Sequence, residues 1–92
     1  MIEKTIKIKH ENGLHMRPAM MFIELAAKFE CDVTVQKNDI VSDGKSIMEI
    51  TMLGAACGEE IKITAKGKDE KEAVEALEGL IKGNFNNLSE VK

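Results

Sequence analysis

Tryptophan and tyrosine are absent from the 92 residues, and the only aromatics are three phenylalanines. Such a chain lacks the stacking rings on which single-stranded bases or sugars are held. Positive charge is short as well. Thirteen Lys and Arg against sixteen Asp and Glu leave a net charge of −3, the opposite of the electrostatic footprint of a nucleic-acid binder. No nucleic-acid partner is expected. No apolar run approaches the ~18 residues of a membrane span, and the first residues lack the apolar core of an export signal. The expectation is a cytoplasmic protein without membrane insertion. The two cysteines, Cys31 and Cys57, have no CxxC or zinc-like spacing. They are expected to stay reduced and to act as small buried hydrophobes. His10 and His15 are the only histidines and have no acidic cluster beside them, so no metal site is expected.

What is present fits one small domain covering residues 1–92. A chain of this size hides roughly 60–65% of the surface its unfolded form would expose, enough for a single modest core. Ile2, Ile6 and Ile8 alternate with Glu3, Thr5, Lys7 and Lys9, the period of a half-buried strand. Asn12-Gly13 breaks it. From Met16 to Phe29 the period becomes helical. Ala19, Phe22, Ile23 and Ala26 form one stripe, Arg17, Met21, Glu24 and Lys28 another, and Pro18 suits the first turn.

Val33 and Val35 lead through Asn38-Asp39 into Ile40 and Val41, a hairpin. Ser46 to Leu53 reads as a short helix. Ser46 and Glu49 stand in capping-box spacing, in which the carboxylate would reach back to the Ser46 N–H. Gly54 and Gly58 bracket a loop. Ile61, Ile63 and Ala65 alternate as a fourth strand, and Gly67 ends it. Asp69 with Glu72 opens a last helix, striped by Val74, Leu77 and Ile81, with Gly83 as its stop. The order β-α-β-β-α-β-α, with one apolar face per strand, predicts an α+β fold. Its four-stranded antiparallel sheet would be covered on one face by three helices.

The chemistry concentrates in Asn12-Gly13-Leu14-His15-Met16-Arg17-Pro18-Ala19. Arg17 is the only arginine and Pro18 the only proline, and both stand within three positions of a histidine at a strand-to-helix junction. A helix start offers unpaired N–H groups and the positive end of the helix dipole, a natural anion site. Arginine adds a planar fork matched to phosphate oxygens. Neutral imidazole is nucleophilic and titrates near physiological pH, so it can take up a group and release it. These residues describe a transiently phosphorylated His15 with Arg17 as its partner. A histidine that merely caps the helix, beside a solvated arginine, is the alternative that spacing alone leaves open.

Asn12 to Ala19 resembles the active-site signature of HPr, the histidine-containing phosphocarrier protein family of the phosphoenolpyruvate:sugar phosphotransferase system. Lys45-Ser46-Ile47-Met48, followed by Leu53-Gly54, is similar to that family's second signature, around a regulatory serine. The resemblance runs nearly the whole chain and implies the family's open-faced sandwich. It further implies a phosphocarrier, without a cofactor and not an enzyme in its own right. Enzyme I would phosphorylate His15 on Nδ1, and an enzyme IIA domain would take the group for sugar uptake. In Gram-positive lineages an HPr kinase/phosphorylase and a catabolite-control regulator would be further partners, acting through Ser46. Two positions depart from the common pattern. Glu49 stands where Gly is usual, and Thr51 stands where Met is frequent.

Apart from Met1, every methionine lies in the first two helices: Met16, Met20, Met21, Met48 and Met52. Met21 shares the Arg17 stripe and is expected to be exposed. Ile50 and Leu53 would fill the core while Ile47 and Met48 face outward. Met16, Met20, Met21, Ile47 and Met48 are accordingly the expected docking patch, since an exposed methionine cluster adapts to several partners. The chain is expected to be a monomer. A regulatory or nitrogen-branch HPr paralogue, working through partner binding and Ser46 phosphorylation, is the rival function.

Overall fold

The computed structural model describes residues 1–8, 16–54, 56 and 58–82. The segments holding His10, Asn12-Gly13 and His15, as well as Cys57, Gly83 and the side chain of Met16, lie outside them. The elements run β1 (Ile2–Lys7), α1 (Met16–Ala26), β2 (Asp32–Lys37), β3 (Ile40–Asp43), α2 (Ile47–Leu53), β4 (Glu60–Lys66) and α3 (Glu70–Lys82). This is the predicted order. All strand pairings are antiparallel, and the sheet order is β1-β4-β2-β3.

Alternation fixes which face each strand buries. Ile6 on β1, Val33 and Val35 on β2, and Ile61, Ile63 and Ala65 on β4 are all buried toward the helices. Ile8 extends this face beyond β1, exchanging backbone hydrogen bonds with Glu59 and Gly58 at 2.8 Å each. The helices close the core with Ala19, Phe22 and Ala26 of α1, Ile50 and Leu53 of α2, and Val74, Leu77 and Ile81 of α3.

β3 does not have the expected apolar inner face. The register sets Ser42 opposite Val35, so the serine is the buried residue. Val41 pairs with Gln36 on the open face, and Ile40 pairs with Lys37 at the strand's end. Ile40 and Val41 remain 54% and 59% exposed. An edge strand is covered on one side only, which is why its hydrophobic residues escape burial. The two-residue hairpin places Asn38 at φ 55, a conformation that asparagine tolerates better than most residues.

α1 ends earlier than Phe29. Lys28 and Phe29 donate their N–H groups to Leu25 and Ala26, tightening the last turn, and Lys45 Nζ donates to the Phe29 carbonyl at 2.7 Å. The link onward to β2 is held from α3's side of the molecule. Asp69 accepts the N–H groups of Glu30 and Cys31, each at 2.9 Å. Chiefly the Glu30 bond, with help from Cys31, holds the Asp69 carboxyl below the usual carboxylate range. Burial, followed by the neighbouring Asp69 carboxylate, pushes the Cys31 thiol up, consistent with its expected role as an inert buried hydrophobe. No described helix is long and apolar enough to cross a membrane.

Candidate functional site

The first turn of α1 carries the chemistry-bearing residues that the structure describes. Pro18 is fully buried there, at a helical position whose N–H would have no intrahelical acceptor. The ring anchors the helix start while Arg17, one residue before it, is exposed. Among the described residues Arg17 makes no ion pair. His15 immediately precedes α1 in sequence and lies outside the described residues.

Electrostatically this helix start differs from the other two. α2 has Glu49 in its first turn and α3 has Glu70 and Glu72, whereas α1 has no acidic residue there. Carboxylates complement the positive end of a helix dipole in α2 and α3. In α1, among the described residues of the first turn, the only charge is that of Arg17, which adds to the positive end of the dipole.

The second signature is also at a helix start. Ser46, half-buried and extended at φ −112 and ψ 114, caps α2, its Oγ accepting the Glu49 N–H at 3.3 Å. The reciprocal half of the expected capping box is absent. Glu49 Oε1 accepts the N–H of Asp43 at 2.8 Å, and the Ser46 N–H goes to the Asp43 carbonyl at 3.2 Å. The 43–46 turn folds β3's end over the helix start and brings the Asp43 N–H to Glu49 first. Thr51, the other departure, turns its hydroxyl back onto its own helix, donating to Ile47 and Met48 carbonyls at 2.9 Å each.

α2 ends at Gly54, whose φ of 70 suits glycine, and its carbonyl accepts from Lys37 Nζ at 3.0 Å. The same ammonium pairs with Glu59 at 3.1 Å, and that carboxylate also takes the Ala56 N–H at 2.7 Å. The Ala56 bond, then Lys37, holds the Glu59 carboxyl below its ordinary value. Glu59 in turn pairs through its backbone with Ile8, which leads directly into the segment carrying His15. Periodicity offers no sign of this clasp, because its members are polar and distant in sequence.

Between α1 and α2 runs an apolar groove of about 350 Å³ lined by Met20, Ile23, Glu24 and Ile47. Met20 and Met48 are 47% and 69% exposed, and Ile47 faces outward while Ile50 and Leu53 are buried, as expected. Met21 is a correction. It is half-buried and packs against the core, on a helix that meets both α2 and α3. Met52, left out of the expected patch, is the most exposed of the described methionine side chains at 76%. Its i, i+4 spacing from Met48 was the available signal. A larger cleft, about 530 Å³, lies elsewhere, at one end of the open sheet face. It mixes Lys7, Lys37 and Lys62 with Glu59 and Glu60, so it has no single-sign field for a charged ligand.

The family described as PTS HPr component phosphorylation site matches residues 2–83. Phosphocarrier protein HPr of Neisseria meningitidis is 44% identical over 85 residues, covering 92% of this chain and 96% of its own. HPr-like protein Crh of Bacillus subtilis is 35% identical over 77 residues, covering 84% and 91% respectively. Among solved structures, HPr-C-His from Thermoanaerobacter tengcongensis superposes with a TM-score of 0.91 at 44% identity, covering 94% of this chain and 97% of its own. A match across nearly the full length, in sequence and in overall superposition alike, settles the kinship: this chain belongs to the HPr family of phosphocarrier proteins.

Proposed function

We propose that His15 accepts a phosphoryl group from enzyme I and passes it to an enzyme IIA domain, with Arg17 stabilising the transferring phosphate. The observation that carries this reading is the first turn of α1. It holds an exposed arginine, no carboxylate and a buried proline anchor, directly after the signature histidine. Phosphoryl transfer asks a protein mainly for positioning and electrostatic stabilisation, and this helix start supplies both. Neutral imidazole attacks phosphorus through Nδ1, and the bond from phosphorus to the phosphoryl-bearing atom of enzyme I breaks. Reversal at the acceptor returns the imidazole unchanged. As a monomeric carrier it turns nothing over alone.

The partners dock on the surface formed by Met20, Ile47 and Met48, with Met16 at the head of α1 and Met21 contributing only its exposed part. A small apolar patch suits exchange partners that must separate quickly. Ser46 is the regulatory position of the same face, open to a kinase/phosphorylase and to a catabolite-control regulator.

Incubation with enzyme I and phosphoenolpyruvate, followed by intact-mass measurement, should show one acid-labile phosphoryl adduct. The adduct should disappear in His15→Ala; if that variant is phosphorylated at the normal rate, the reading is wrong. Met48→Glu should weaken enzyme I binding by placing charge in a desolvated contact. The regulatory rival predicts instead that no adduct forms with enzyme I.

A further inference from the structure

Sulfur is distributed unevenly over the molecule. Met48 and Met52 are 69% and 76% exposed on α2 at i, i+4 spacing, so their thioethers share one ridge. Met52 also borders a second apolar groove, with Ile40, Val41 and Leu53, while Ile47 beside Met48 borders the groove against α1. Met52 on the ridge and Ile47 beside it therefore border two apolar troughs on the docking face. Met21 packs against the core, and Met1, although 71% exposed, is tied by its ammonium to Glu70 at the start of α3. Leucine would offer equal apolar area on the ridge; methionine adds a solvent-facing nucleophilic sulfur.

We infer that Met48 and Met52 form a reversible oxidation site through which peroxide switches off docking to enzyme I. The inference rests on the α1–α2 surface being the docking face. A thioether lone pair attacks one oxygen of hydrogen peroxide and the O–O bond breaks. The sulfur gains that oxygen and is oxidised by two electrons, and the other oxygen leaves as water once the proton has moved. The sulfoxide is polar, and methionine sulfoxide reductases return it to the thioether. Burying the new S=O group in an apolar contact without a donor should weaken binding about tenfold or more per sulfoxide. Both side chains project from the surface, so the fold itself is unaffected. The effect is thus a loss of docking without a loss of stability.

The test treats the intact protein with hydrogen peroxide and locates sulfoxides by peptide mass spectrometry. Melting temperature and enzyme I affinity are then measured before and after methionine sulfoxide reductase treatment. Met48 and Met52 should oxidise ahead of Met21. Affinity should fall about tenfold or more at unchanged melting temperature and recover on reduction. In the Met48→Leu/Met52→Leu variant, whatever its starting affinity, the ratio of enzyme I affinities before and after peroxide should stay near one. Unchanged affinity of the oxidised wild type overturns the inference, and so does an equal loss in the double variant, which would assign the effect to Met1, Met16 or Met20. Met48→Glu separates the two readings. If it binds normally, the docking face itself is misassigned; if it fails to bind while the sulfoxides are tolerated, only the oxidation site falls.

Discussion

A phosphate on Ser46 would meet two opposed fields, and their sizes can be worked out. The gain comes from the helix start, typically ~0.3–1 kcal/mol for an anion at an exposed first turn. The loss comes from Glu49, one turn along the same exposed face. At the roughly 5–6 Å of ordinary i, i+3 spacing, a charge near −2 against −1 in water repels by about 1.5 kcal/mol. Physiological salt roughly halves that. The terms nearly cancel, so phosphorylation should leave the wild-type melting temperature almost unchanged. Glu49→Gln is the cleaner perturbation, since its amide oxygen can still accept the Asp43 N–H that Glu49 holds at 2.8 Å. Glu49→Gly would lose that bond and add about 1 kcal/mol of helix penalty. In Glu49→Gln the dipole gain stands unopposed, and phosphorylation should raise the melting temperature by about 2–6 °C. The gap between the two proteins should widen at low salt. Kinase/phosphorylase treatment followed by calorimetry at two salt concentrations measures it, alongside the phosphorylation rates, which should favour the Gln variant. Equal shifts and equal rates in the two proteins would refute the reasoning and make Ser46 an ordinary regulatory site.

Arg17→Ala should change stability by no more than about 0.5 kcal/mol, since the side chain is exposed, yet slow phosphotransfer by about 10–100-fold; stopped-flow transfer and thermal melts separate the two. The depressed Asp69 carboxyl contributes stability above its ordinary value of 3.8, and that contribution is lost as pH falls through its lower folded value. Asp69→Asn should therefore melt lower at neutral pH and lose less than wild type below about pH 4, and parallel curves would contradict the assignment. Gly44→Ala would place a Cβ 2.5 Å from Val33 Cγ1 and 2.9 Å from the Val33 carbonyl oxygen. It should cost about 1–3 kcal/mol in a urea titration, with unaltered stability disproving the close packing.

Local pattern made much of this structure legible. β4 and the stripe of α3 each bury one regular face, so period alone located them, and the alternation of β1 found Ile6 although Lys4 on the same face stays exposed. The failures share a cause, which is information held by the tertiary register. Nothing within Ile40-Val41 reveals that β3 is an edge, and nothing within α1 reveals that it meets two other helices and that Met21 packs against the core. Glu49 found Asp43 because the chain bends back on itself, a geometry that a four-residue capping pattern does not encode. At the candidate site, the rarity of Arg17 and Pro18 beside a histidine was readable. The Lys37–Glu59 clasp was not, because a single ion pair between residues so far apart leaves no periodic trace.

The sheet order also dictates an order of assembly. Among the described residues β4 is the only strand bonded to both β1 and β2, and β1 has no other partner in the sheet. During synthesis, the β2–β3 hairpin can close as soon as it emerges, on the microsecond scale of local structure. β1 is made first yet must wait for residues 60–66, since Ile6 pairs with Ile61 and Ile2 with Ala65. Until then Ile6 and Ile8 are apolar side chains without a sheet to cover them. The rate-limiting event in folding should thus be the entry of β4 between two strands made long before it, a late, long-range closure characteristic of slow mixed α/β folders.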